Sequence, residues 1–142
     1  MTVKRLLLGG MASGAVMWLL ESLVSQLYLT EMQTALRSHN LALNITASGW
    51  FWSVMIALLI GLTMAFMYVA ARSRFGPGPK TAALVAFVLW LGGYVPSLIG
   101  YDMIGIYSRR LLALWGVVGL GEMILGCIVG AWIYREATPA VP

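Results

Sequence analysis

Long apolar runs alternate with short polar stretches along the 142 residues. Four of the runs, 6–29, 49–71, 81–100 and 111–134, are long enough to cross a bilayer core of about 30 Å at about 1.5 Å of helical rise per residue. Strands of a membrane barrel would be shorter and would alternate in polarity, and these runs do neither. The pattern predicts an all-α membrane protein, an up-down-up-down bundle of four transmembrane helices forming a single domain, 1–142.

The polar stretches differ in character. Within TEMQTALRSHNLALNITA (30–47), Met32, Ala35 and Leu36 fall at helical spacing, which predicts a short interfacial helix over 30–43. Asn44-Ile45-Thr46 matches a glycosylation sequon, a three-residue pattern that recurs by chance and carries no weight alone. Trp50, Phe51 and Trp52 open the second run, as an aromatic belt at a membrane interface would. RSRFGPGPK (72–80) sets glycine and proline alternately over 76–79, which ends one helix before the next begins. Its cations Arg72, Arg74 and Lys80 are expected to meet anionic headgroups. A glycine-rich basic loop invites a nucleotide reading, but it lacks the Walker spacing and no strand precedes it. YDMIGIYS (101–108) is short and rather apolar, and is expected to dip into the interface.

Composition agrees. Hydrophobic residues make up 61% and charged residues 10%, where a soluble domain carries roughly 25% charged residues, and mean hydropathy is +0.87. The net charge of +4 comes from nine scattered Lys and Arg, so it reads as topology and excludes a nucleic-acid patch. Lys4, Arg5, Arg72, Arg74, Lys80 and Arg135 make six on one side, against three (Arg37, Arg109 and Arg110) on the other. The bias predicts both termini inside. Lys4 and Arg5 also suit a signal-peptide start. The apolar run nevertheless continues past Leu20 without a small-residue cleavage pattern, so a retained first membrane helix is expected. The single cysteine, Cys127, excludes a disulfide within the chain. With one histidine, His39, no multi-histidine metal or haem centre can form, and no cofactor is expected.

RFGPGPKTA, a following span with VLWLGGY, and a final span ending GAWIYRE resemble a group of small four-helix bacterial inner-membrane proteins of uncharacterised function. The resemblance covers mainly 70–136, and the first third shares only its pattern of glycines. It implies the four-span topology and a bacterial inner-membrane location, and transfers no catalytic or binding residue.

Helices in lipid associate through close packing and polar contacts rather than the hydrophobic effect. All four runs offer small residues at helical spacing. Gly10 and Gly14 continue toward Glu21 and Ser25 in the first; Ser53, Ala57, Gly61 and Ala65 stand four apart in the second. The third holds Gly93 and Ser97 beside Pro96, and the fourth Gly119, Glu122, Gly126 and Gly130. Gly10, Gly14, Gly61, Gly126 and Gly130 are the expected packing contacts. Pro96 lacks the N–H that would bond the Gly92 carbonyl. It is expected to kink the third span, as a structural bend or as a freed carbonyl at a solute site.

The runs contain two acids, Glu21 and Glu122, and neither has a cation in its own run. With the first and fourth spans antiparallel, they fall at comparable depth. An ionised carboxyl there costs on the order of 3 kcal/mol, so protonation or a hydrogen-bonding partner is required. Ser25, Trp90, Tyr94 and Ser97 are candidate partners. Three readings follow: neutral acids that fix helix register, acids that bind and release a proton or cation while a solute crosses, and acids that face a neighbouring subunit, pigment or lipid. Catalysis is not expected, because no metal cluster or nucleophile–base pair is present. The leading expectation is a packing or accessory subunit in a homo-oligomer or larger membrane complex, with the lipid bilayer as its other partner. The alternative is a proton- or cation-coupled small-solute transporter using Glu21 and Glu122.

Overall fold

The structure, a computed structural model, describes residues 3–43 and 45–134, and all regular structure within them is helical. Helix α1, Val3–Val24, tightens into a 3-10 turn over Ser25–Leu27; α2 is Leu29–Ser38, α3 is Ala47–Phe75 and α4 is Pro79–Leu89. A π turn, Trp90–Tyr94, leads into α5, Val95–Ile104, and α6 is Arg109–Ile133. They make four spans of membrane length and apolarity: Val3–Leu27, Ala47–Phe75, Pro79–Ile104 and Arg109–Ile133. The expected all-α, multi-pass architecture is thus present. Asn44 of the sequon and Arg135 lie outside the described residues.

The spans overrun the apolar runs because the backbone stays helical through flanking polar residues such as Arg72 and Arg74. The interfacial helix instead stops at Ser38, short of the expected 43, where Asn40 adopts a left-handed φ of 57°. The 72–80 turn forms as its composition requires. Gly76 (φ 79°) and Gly78 (φ 134°) adopt backbone angles that L side chains rarely reach, and Pro79 starts α4. The Gly78 N–H donates to the Tyr68 hydroxyl at 3.1 Å, and the Thr81 hydroxyl donates to the Gly76 carbonyl at 2.7 Å.

Neighbouring spans pack around a ring, α1 against α3 and α6, and α4 against α6 and α3. The densest core lies on the side that carries the 76–78 turn, where Met64, Tyr68, Ala82, Ala86, Cys127 and Tyr134 are almost fully enclosed. The opposite side is looser: α5 buries no residue and leans mainly on α6. Pro96 explains part of this. The expected simple kink is replaced by a widened turn, in which the Val95 N–H reaches back five residues to the Trp90 carbonyl just before the proline. A π turn shifts the hydrogen-bonding register, so the span absorbs Pro96 without breaking.

Candidate functional site: two glutamates beneath an aromatic cavity

Close backbone approach sets the register of α1 on α6. A Cβ added at Gly9 would lie 2.8 Å from the Gly130 carbonyl oxygen, and one at Gly126 would lie 2.8 Å from Met17 Cγ. On the other flank, a Cβ at Gly14 would meet Leu58 Cα at 2.7 Å, and one at Gly61 would meet Gly14 Cα at 2.7 Å. Gly10, Gly14, Gly61, Gly126 and Gly130 therefore all sit at helix crossings. One turn past Met17 stands Glu21, and one turn before Gly126 stands Glu122. The antiparallel register makes them neighbours, and their carboxyls interact.

The two acids have different surroundings. Glu122 is 8% exposed, and its Oε1 has no hydrogen-bond partner. Glu21 is exposed to a cavity and accepts a hydrogen bond from the Tyr28 hydroxyl. The cavity measures about 410 Å³, with Glu21, Tyr94 and Ser97 on its wall and Tyr101, Tyr107 and Trp115 beside them. Met32 of α2 and Leu98 complete it. It occupies the space left where α5 splays from the bundle.

Of the residues singled out from sequence, Glu21, Glu122, Tyr94 and Ser97 are brought together, and Ser25 and Trp90 are not. The half-buried Ser25 donates to the Ser22 carbonyl at 3.3 Å, and Trp90 Nε1 donates to the Gly116 carbonyl at 2.9 Å. Ser97 lines the cavity while donating to the Gly93 carbonyl at 3.0 Å. Tyr94 fits because position 119 is glycine: a Cβ there would stand 2.8 Å from the Tyr94 ring. Arg74 and Lys80 are exposed, whereas the Arg72 guanidinium lies 5.4 Å from the centre of the buried Tyr134 ring.

Sequence reasoning missed the aromatic tier. Tyr28, Tyr101 and Trp115 each stand seven residues from Glu21, Tyr94 and Glu122, on the side that carries α2. Seven residues is two helical turns, about 10 Å along the axis and nearly the same face. That spacing was the available signal. Tyr28, Tyr101 and Tyr107 all meet the Trp115 ring edge-on, at centroid distances of 5.8, 6.4 and 4.8 Å. Trp115 Nε1 is buried without a partner. Tyr107 lies beyond the spans, and burial, followed by the neighbouring Tyr101, raises its phenol pKa, so the ring is neutral at physiological pH.

The rim is tied by polar contacts. Ser108 caps α6 by accepting from the Leu111 N–H at 3.2 Å, and its hydroxyl donates to Glu31 of α2 at 2.7 Å. Arg109 pairs with Asp102 at 3.1 Å on the exposed surface. Among the described residues, no three of His, Cys, Asp or Glu gather in one place. Comparison with protein-family models, curated proteins and solved structures finds no match to this chain.

Proposed function

We propose that this is a small membrane protein that exchanges protons for cations at the Glu21–Glu122 pair. The observation that carries the reading is the position of Glu21, on the wall of a cavity that also reaches the rim, with the buried, partnerless Oε1 of Glu122 behind it. Acids that served packing alone would both be enclosed by protein. Here one acid is open to a ligand, and the other holds an unused acceptor in a low-dielectric setting, where an incoming cation is attracted most strongly. When a cation enters, a proton leaves the pair for water, and protonation of the pair expels the cation. The same proposal places the chain in a bacterial inner membrane with both termini inside, and it carries no catalytic step.

The test is reconstitution in liposomes containing a pH-sensitive dye, with an imposed pH gradient and sodium, potassium or tetraethylammonium chloride added outside. At least one cation should discharge the gradient through the wild-type chain, and Glu21→Gln and Glu122→Gln should return the rate to that of empty liposomes. Discharge that persists in both variants overturns the proposal.

One observation favours a second reading, a non-catalytic packing subunit of a homo-oligomer or larger membrane complex. Gly93 and Gly100, seven apart on the loosely held third span, have open space where a Cβ would go. Helices in lipid use such positions for close approach. Particle mass in nanodiscs distinguishes a monomer from an oligomer, and an oligomer that separates on Gly93→Leu would place the interface there.

A further inference from the structure

Resting on the reading of the glutamate pair as a cation site, we infer that its cation is organic, an alkylammonium held against the rings of Tyr94, Tyr101, Tyr107 and Trp115 with Glu21 as counter-charge.

Three observations carry this. The first is the lining. Among the described residues that line the cavity, Glu21 is the charged one, and Tyr94, Tyr101, Tyr107 and Trp115 share the wall with Met32 and Leu98, which supply apolar surface. A wall with negative charge and no positive charge suits a cation, and aromatic faces attract a cation stripped of water. An anion would be repelled by Glu21.

The second is the arrangement of the rings. Tyr101, Tyr107 and Trp115 meet one another at 69–75°, with centroids 4.8–6.4 Å apart. Three planes close to mutually perpendicular form the corner of a box. Aromatic boxes of this kind recognise quaternary ammonium groups, because a tetrahedral cation presents apolar methylene faces in several directions at once.

The third is size and donor chemistry. The cavity of about 410 Å³ falls within the roughly 300–1,000 Å³ of small-molecule sites. A bare metal ion would need several oxygens converging at about 2.0–2.6 Å. This wall provides one carboxylate, phenols and a Ser97 hydroxyl, too few anionic oxygens to enclose a bare metal ion. Beneath it, the unpartnered Oε1 of Glu122, in a side chain more than nine-tenths buried, adds an unused acceptor without occupying space in the box.

The titratable and charged groups that face the pair are Tyr28 of the α1–α2 link and Tyr94 of the third span, with Glu31 and the Asp102–Arg109 pair at the rim. Protonation of either glutamate removes negative charge, so organic-cation affinity falls as pH falls.

The experiment is calorimetric titration of the full chain in lipid nanodiscs with tetraethylammonium and choline. Sodium serves as the inorganic comparator, and 3,3-dimethylbutan-1-ol as the neutral analogue of choline. Saturable binding of the ammonium ions is expected, with sodium and the neutral alcohol at least tenfold weaker. Trp115→Leu should weaken tetraethylammonium by roughly five- to thirtyfold, the loss expected for one cation–π face. Trp115→Phe should recover most of that loss, which a merely structural role would not predict. If Trp115→Leu fails to fold, Tyr107→Leu in the loop before α6 carries the same test. Equal binding of choline and its neutral analogue overturns the inference. So does glutamate-dependent sodium or potassium exchange without ammonium binding, although the proposed function then stands. Absence of any glutamate-dependent cation binding or proton movement removes both.

Discussion

Replacing Gly61 with alanine tests whether the α1–α3 crossing is as tight as the structure places it. The added methyl would lie 2.7 Å from Gly14 Cα, and closer still to the Gly10 carbonyl oxygen and the Gly14 nitrogen. All three atoms are backbone, so no flexible side chain can yield and the helices must separate. Overpacking of this kind costs about 1–3 kcal/mol, and contact with backbone puts this site toward the upper end. Alanine regains about 0.8–1 kcal/mol of helix propensity over glycine. The expected net loss is therefore about 1–2 kcal/mol. Gly93→Ala is the internal control. It sits in the π turn of the third span with nothing within 4 Å of the new methyl, so no clash opposes it and the change should be close to neutral. Reversible denaturation in mixed micelles, followed by circular dichroism, reads both variants on one scale. If Gly61→Ala is as stable as Gly93→Ala, the backbone approach of α1 on α3 is not what holds the bundle together.

Other consequences concern the site and its rim. Gly119→Leu should push the Tyr94 ring out of place and weaken tetraethylammonium binding by at least tenfold while the helix content persists, as calorimetry and circular dichroism would show. Tyr28→Phe keeps a ring against Trp115 and removes the donor to Glu21, so about 1–3 kcal/mol of stability should be lost in the same denaturation assay. Ser108→Ala removes both the α6 cap and the bond to Glu31; a loss of about 1 kcal/mol and faster amide exchange in the first turn of α6 should follow. Tyr107 has a raised phenol pKa, so its stabilising contribution is fully present below the ordinary value of about 10 and fades above it. Comparing the ultraviolet titration with that of Tyr107→Phe should place its phenolate absorbance above pH 10.

The spans were legible in the sequence because a bilayer demands runs of a certain length and nothing else in the chain satisfies that demand. Gly10, Gly14, Gly61, Gly126 and Gly130 were legible for a related reason: close approach in lipid needs small residues at helical spacing. Depth alone set Glu21 and Glu122 at a comparable level, whereas their becoming neighbours depends on the register that the glycine crossings of α1 on α6 impose. Ser25 was misjudged because the first span tightens into a 3-10 turn at that residue, which rotates the hydroxyl onto the Ser22 carbonyl. Trp90 was misjudged because a π turn begins there, and no local pattern distinguishes a π turn from the kink expected at Pro96. Tyr107 could not be placed at all from spacing, since its position depends on how a short loop folds back over Trp115. Tyr28, Tyr101 and Trp115 were within reach, because a seven-residue step from each candidate polar residue finds all three.

The unequal packing of the two halves connects fold to site. On the side of the 76–78 turn, small residues and two buried tyrosines, Tyr68 and Tyr134, fill the space between spans. On the other side, the third span carries glycines without neighbours and a proline, and the widened turn carries α5 outward. A bundle packed equally tightly at both ends would leave no room beside Glu21. It would then have to enclose two carboxyls without water or counter-charge, at several kcal/mol by the measures used for intramembrane charge. Splaying α5 gives up interhelical contact, and in return one carboxyl gains an opening and a phenol donor. The tight half keeps the register that sets Glu21 beside Glu122, and the loose half gives a ligand access to the pair. Stabilising the loose half, for instance by filling the space around Gly93 and Gly100, should therefore reduce cation binding even though neither residue lines the cavity.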